Sequence, residues 1–349
     1  MSKKAFRVLL ICTLIAVAAA IWAVQKEWSR WGENENGTKL FPQLAAGMDD
    51  IARLKLRHRD IELTIERRPK GWVVAEDDGY PANAKAVQDL LFALSEARRL
   101  EPKTQEAKKY GRLQVEDPSG PKAESKGITV IGKNGKTLAD LVLGKENLLL
   151  QVVGEGGAYL RLPGNKQVWL ASGNLLASDE TKDWLDNPVA NIPRQRLDRA
   201  ELHHPNGDTL VVTKSSKGDG KFALDGMAAD EKLVSDFYPS DIARVFEKFE
   251  VHGARKRDNI PFPADATIKG RYRTVDGLEI DFDLATIDGK DWFRFDSVKT
   301  DNTQSAEAVA EAKAIREHTA GWAFRIPLFE SIHLKKTRDQ VVEKAKPQS

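Results

Sequence analysis

One pattern of apolar spacing occurs twice in this 349-residue chain, and a duplicated pattern constrains architecture more than any single motif. In its first occurrence Leu54 and Leu56, then Ile61, Leu63 and Ile65, alternate as in half-buried strands. A Pro-Lys-Gly turn leads into a third run, Trp72-Val73-Val74. Pro81-Ala82-Asn83 marks a helix start, and Val87, Leu90, Leu91 and Leu94 recur at i, i+3, i+4 and i+7 to give one apolar helical face. Strands at 128–131 and 138–143 follow, joined by an Asn134-Gly135 turn. The second occurrence opens with strands at 199–203 and 209–213 around Pro205-Asn206-Gly207-Asp208, and Phe222-Ala223-Leu224 answers Trp72-Val73-Val74. Ile242, Val245, Phe246 and Phe249 repeat the helical spacing, Ile242 falling 155 residues after Val87. Strands at 269–274 and 278–287 close the unit, with turns at Asp276-Gly277 and Asp288-Gly289.

Each sheet has one alternating face to bury, and its own amphipathic helix is the nearest element able to cover it. The expected fold class is therefore α+β: an N-terminal single transmembrane helix, two tandem repeats of antiparallel sheet plus one packed helix, and a C-terminal helical segment. The boundaries read as a cytoplasmic N-terminus 1–7, a transmembrane anchor 8–28, a tether 29–45, a first repeat 46–190, a second repeat 191–300 and a helical segment 301–349. In that last segment 303–319 reads as a helix with Gly321 as its C-cap, and a charged helix is expected from about Lys335 to Ala345. Residues 321–327 form a short strand able to pair with either sheet.

Val8 to Val24 is an uninterrupted apolar run of 17 residues, at the lower end of the ~17 to 25 that span a bilayer. Lys3, Lys4 and Arg7 precede it, so the positive-inside rule places the N-terminus in the cytoplasm and the bulk outside. Ala16-Val17-Ala18 fits a signal-peptide cleavage site as the competing reading. Against cleavage, the run continues past that site, and Trp22, Trp28 and Trp31 suit the outer interface of a retained helix. Cys12, the single cysteine, is preceded by bulky Ile11 where a lipoprotein signal needs a small residue, and it excludes an intrachain disulfide. Asn36-Gly37-Thr38 matches a glycosylation acceptor but reads as part of a polar tether.

Lysines and arginines number 54 against 52 acidic residues, so a net charge of +2 makes no case for a nucleic-acid partner. Residues 127–133 have phosphate-loop spacing, but Asn134 stands where Ser or Thr must bind magnesium, and the stretch is a strand. Gly154-Glu155-Gly156-Gly157 begins like a dinucleotide fingerprint, yet Tyr159 takes the third glycine's place and no helix follows. The six histidines, among them His203, His204 and His333, form no HExxH pair and read as solvated or capping residues. Asp281 and Asp283 share a strand face near Asp288, Asp291 and Asp296 and could offer oxygens to a cation, but alternation with Phe282 and Leu284 also fits a solvated face. No catalytic residue, metal ligand or cofactor site is assigned, and no cofactor is expected.

Particular residues carry a family resemblance: Lys109-Tyr110-Gly111-Arg112-Leu113 running into Glu116-Asp117-Pro118, then 138–145, Ala158-Tyr159-Leu160-Arg161, Val168-Trp169-Leu170 and Asp183-Trp184-Leu185-Asp186. Thr274-Val275-Asp276-Gly277-Leu278 and Gly321-Trp322-Ala323-Phe324 with Ile326-Pro327 complete it. The chain resembles the bacterial domain of unknown function 4340, whose members are often encoded beside gliding-type ABC transporter components. Gln114 departs from the glycine usual in that family. The resemblance implies a single-pass inner-membrane protein facing the periplasm, a non-catalytic auxiliary subunit of an ABC-type transporter or cell-envelope complex. Its partners would be transporter subunits and, through the N-terminal helix, the bilayer. The alternative is a periplasmic receptor or enzyme acting on an envelope glycan or lipid, and a purely structural spacer is a third reading. The hairpin 157–171 offers the candidate partner-binding residues Tyr159, Arg161 and Trp169, with a sheet hairpin as the plainer reading.

Overall fold

The computed structural model describes Thr13, Val17 and residues 37–152, 156–215, 221–301 and 305–344. The chain divides into two compact units, Met1–Arg67 with Lys85–Asp179 and Arg68–Ala84 with Glu180–Ser349. In chain order the first half holds α1 (Pro42–Ala46), β1 (Ile51–His58), β2 (Ile61–Arg68), β3 (Gly71–Val74), β4 (Tyr80–Pro81), α2 (Ala84–Glu96), β5 (Arg99–Pro102) and α3 (Tyr110–Leu113). It continues through β6 (Lys126–Gly132), β7 (Thr137–Glu146), α4 (Leu148–Val152), β8 (Gly157–Arg161) and β9 (Val168–Ser172). The second half holds β10 (Leu197–His203), β11 (Thr209–Lys214), β12 (Phe222–Leu224), β13 (Glu231–Leu233), α5 (Tyr238–Ala243), β14 (Gly253–Lys256), β15 (Thr267–Thr274), β16 (Leu278–Ile287) and β17 (Lys290–Thr300). It ends with α6 (Ala306–Thr319), β18 (Trp322–Arg325), α7 (Leu328–Leu334), α8 (Arg338–Val341) and β19 (Val342–Lys344).

The fold is α+β, with large antiparallel sheets and a few helices. Strands of the first unit run in the order β2-β1-β6-β7-β8-β9-β5. Those of the second run β12-β11-β10-β15-β16-β17-β18-β14. From β2 and β11 onward the two orders have the same connectivity, each ending on the strand that follows the unit's early helix. Register slips between Ile51 and Arg53 in one and between Leu197 and Arg199 in the other, at the start of the corresponding strand. Alternation explains the faces: Leu54, Leu56, Leu63 and Ile65 are buried, as are Val87, Leu90, Leu91 and Leu94 on α2.

The second helical spacing buries as expected, but the helix stops early. Ile242, Val245, Phe246 and Phe249 are all buried, while α5 ends at Ala243 and turns carry the chain on to Lys248. The reason is competition for backbone groups. The Phe246 carbonyl accepts from the Ile192 N–H at 2.7 Å, and Phe249 exchanges bonds with Val189 and Ala190, so these groups are unavailable to a continuing helix. Phe246, Phe249, Tyr272, Phe282, Phe293 and Phe295 then form a ring cluster, with Phe282 stacked on Phe293 at 4.8 Å.

The C-terminal segment differs from expectation in three places. Ser305 caps α6 by accepting from the Ala308 N–H at 3.0 Å, and Gly321 sits beyond its end at φ +81°, as foreseen. The strand at 322–325 joins the second unit, pairing with β17 and β14. A helix not foreseen, α7, follows, and the expected charged helix is only the short α8, because Val342–Lys344 pair with β13 instead. Its charged residues suited a helix, yet cross-strand pairing offers partners that propensity cannot represent.

Two carboxylates close the edge of the second sheet. Asp77 accepts from the Ala254 N–H at 2.7 Å and Asp78 from the Lys256 N–H at 2.9 Å, so alternate outward donors of β14 are satisfied. Burial raises the Asp77 pKa, against the Ala254 N–H and the charges of Arg255 and Arg325. Among the described residues no helix is long and apolar enough to cross a membrane; the stretch 8–28, expected as an anchor, lies outside them, apart from Thr13 and Val17.

Asp291 ties β17 to α7. Its buried carboxylate meets Lys335 Nζ at 2.7 and 2.9 Å, the Thr286 hydroxyl at 2.5 Å and the Ser331 hydroxyl. Burial works to raise its pKa, but these donors outweigh burial and hold it below the usual carboxylate value. Such a depressed group stabilises the fold above its unfolded pKa and loses that contribution as pH falls through the folded value. Asp291→Asn is expected to cost about 3 kcal/mol at pH 7 by leaving Lys335 unpaired. In urea melts against pH, the gap to the parent should narrow below the ordinary 3.8.

Candidate functional site

The hairpin 157–171 is real: β8 and β9 pair antiparallel around a turn in which Gly164 has φ +75°. Register sets Leu160 opposite Trp169 and Arg161 opposite Val168, so Tyr159 and Arg161 share one face and Trp169 lies on the other. The three candidates are therefore not brought together. Trp169 is buried beneath the Arg99 guanidinium, 5.3 Å from its ring. Tyr159, Tyr110 and Leu113 pack on buried Val115, Val142 and Val168. The Arg161 guanidinium lies 5.0 Å from the Tyr110 ring and donates to the Val115 carbonyl at 3.2 Å. Tyr110 in turn donates to the Lys166 carbonyl at 2.7 Å.

These residues thus fasten the 110–118 segment across the sheet. Gly144 on β7 permits the close approach, because a Cβ there would fall within 2.6 Å of Val115 Cγ1 and closer still to the Leu113 carbonyl oxygen. Gln114 occupies a left-handed conformation, φ +55°, which explains why glycine suits the position. Gln114→Gly should raise stability by about 1 kcal/mol, read as a higher urea midpoint at unchanged slope. Beside Arg161 a groove of about 400 Å³ is lined by Lys55, Arg57, Glu62 and Asp140, with opposite charges interspersed. Lys3, Lys4, Arg7, Trp22, Trp28 and Trp31 lie outside the described residues.

The acidic strand face is committed to cations of the protein itself. Asp281 meets Arg271 Nε at 2.7 Å and the Ser297 hydroxyl at 2.8 Å, and Asp283 meets Arg294 at 2.6 and 2.8 Å. Asp296 pairs with Arg257 at 2.7 Å, Asp291 binds Lys335, and Asp288 is a turn residue at φ +51°. His203 and His204 point apart, the first exposed and the second buried. Among the described residues no group of His, Cys, Asp and Glu is arranged to hold a metal.

A site the sequence did not disclose lies in the second unit, where α7 and the end of α5 frame a pocket of about 530 Å³. Glu330 and His333 reach it from one helix face, three residues apart, and Asp241, Arg244 and Glu247 from the other side. His333 Nδ1 lies 3.4 Å from Asp241 Oδ2, buried and without a hydrogen bond of good geometry. Burial lowers the His333 pKa, partly offset by Asp241, and raises that of Glu330 against the nearby Arg244 charge. An acid and a base drawn toward their neutral forms in one cleft can exchange protons with a bound group. Phe329, which lines the cleft, is 66% exposed, and Leu328 and Ile332 on the same helix are 64% and 43% exposed. The signal available beforehand was the Glu330–His333 spacing within an apolar run, visible only once 328–334 is known to be helical.

The two shifts act on stability in opposite directions. Below the ordinary histidine value of 6.5 the unfolded chain takes up a proton that His333 resists, so stability declines as pH falls. Glu330 contributes fully below 4.5 and loses that contribution as pH rises through its folded value. Urea midpoints across pH 4 to 8 should show a flatter acid limb for His333→Gln and a gain on the neutral side for Glu330→Gln.

Comparison with known proteins gives one finding: the family model described as a domain of unknown function (DUF4340) matches residues 72–254, just over half of the chain. No curated protein matches, and no solved structure matches. The matched stretch includes Tyr110, Gly144, Tyr159, Arg161 and Trp169 but ends before α7.

Proposed function

The chain belongs to the domain of unknown function 4340 family, and on that footing we propose that it is a single-pass inner-membrane protein whose bulk faces the periplasm. There it acts as a non-catalytic binding or assembly subunit of an ABC-type transporter or other envelope complex. The matching strand orders support two tandem repeats, a duplicated scaffold on which a binding helix is mounted. The observation that carries the reading is α7 itself. Leu328, Phe329 and Ile332 face solvent on a helix that Asp291 fixes through Ser331 and Lys335, and a rigid apolar stripe of this kind suits a protein partner.

A photo-crosslinking residue at Phe329 in the full-length protein, purified in mild detergent, is expected to capture a membrane transporter subunit. Leu328→Asp should abolish that adduct while leaving the thermal melt unchanged. Recovery of the chain alone, without any membrane protein attached, would sink the reading.

The Glu330–His333–Asp241 pocket favours a second reading, a periplasmic receptor or enzyme acting on an envelope glycan or lipid. Under it, His333→Ala would abolish ligand binding while Leu328→Asp would spare it, the reverse of the pattern for a protein partner.

A further inference from the structure

We propose that one end of the first unit is a lipid-facing surface, formed by Leu148, Leu149 and Leu176, which rests on the bilayer. Leu148 and Leu149 are 70% and 80% exposed and Leu176 is 47% exposed, a concentration of aliphatic surface that stays uncovered among the described residues. Their proximity follows from bonded neighbours. Asn147 donates to the Gly157 carbonyl at 2.8 Å and Gly156 to the Leu150 carbonyl at 3.2 Å, seating α4 on the start of β8. Gly157 pairs with Ser172, and a Cβ on Gly156 would lie 3.1 Å from the Asn174 nitrogen, so the 173–176 loop adjoins α4. Leu176 N–H bonds to the Asn174 carbonyl at 2.9 Å. Phe92, 66% exposed, precedes Ala93, whose carbonyl lies 3.6 Å from the Gly173 Cβ position.

What selects lipid as the occupant is where the described chain starts. Gly37 donates to the Arg99 carbonyl at 2.6 Å and its own carbonyl accepts from the Arg98 guanidinium at 2.8 Å. Leu40 donates to the Ala97 carbonyl at 2.9 Å. Arg98 and Ser172 are bonded through both backbones and the Ser172 hydroxyl, so Gly37 is held beside the strand ends that carry the leucines. Only 12 residues separate Val24 from Gly37, a reach of at most roughly 40 Å. This inference rests on the membrane-anchor reading above. An anchor whose apolar run ends at Val24 confines this end of the unit to the membrane's neighbourhood, where exposed leucines gain by entering the acyl boundary. Leucine and phenylalanine suit an acyl surface, which presents no specific hydrogen-bonding groups.

The test uses the full-length chain in a Cys12→Ser background, reconstituted into phosphatidylethanolamine–phosphatidylglycerol vesicles. An environment-sensitive label is placed at Leu149→Cys, at Leu176→Cys, or at Lys136→Cys in the turn at the far end of β7. With brominated acyl chains, labels at 149 and 176 are expected to be quenched at least several-fold more than the label at 136. Flotation of the chain with the vesicles reads the anchor separately. A chain that floats while its 149 and 176 labels stay unquenched keeps the anchor and overturns the lipid surface. Equal quenching at all three positions overturns it as well, and a chain that does not float overturns both readings.

Discussion

A large antiparallel sheet has two edges to close and two faces to cover, and with a single cysteine this chain must do both without disulfides. The second unit closes its β14 edge with carboxylates, Asp77 and Asp78 taking the outward N–H groups of Ala254 and Lys256. In the first unit the entering chain itself lies along β5, through Gly37, Thr38 and Leu40. Unpaired strand donors invite association with other chains, so these caps direct recognition away from the sheet edges.

Once edges and faces are spent on structure, the groups left for recognition lie on appended elements. Tyr159 and Arg161 illustrate the spending: both point from the sheet, and both hold the 110–118 segment through Val115 and Tyr110. The same economy governs the acidic strand, where Arg271, Arg294 and Arg257 neutralise Asp281, Asp283 and Asp296. By contrast α7, outside the match to the family model, keeps large apolar side chains in solvent beside a histidine and a glutamate.

Much of the fold was legible from periodicity. Alternation at Leu54 and Leu56 and at Leu63 and Ile65, and the i, i+3, i+4, i+7 spacing from Val87 and from Ile242, coincide with buried residues, whereas Ile61, at the turn end of β2, is 40% exposed. The candidate site was far less legible. His333 looked like any solvated histidine, since its meaning depends on Asp241, 92 positions earlier in the chain. Trp169 neighbours Tyr159 and Arg161 in sequence, but the hairpin register sends it to the opposite face.

The sequence by itself determined which side chains are apolar at which period, where turns fall, and therefore the α+β class and its buried residues. Only the tertiary structure decided that α5 stops at Ala243, that 342–344 is a strand, and that Asp281, Asp283, Asp291 and Asp296 are ion-paired. The physical reason is common to all three. Each is settled by competition between local bonds and partners distant in sequence, and periodicity measures only the local competitor.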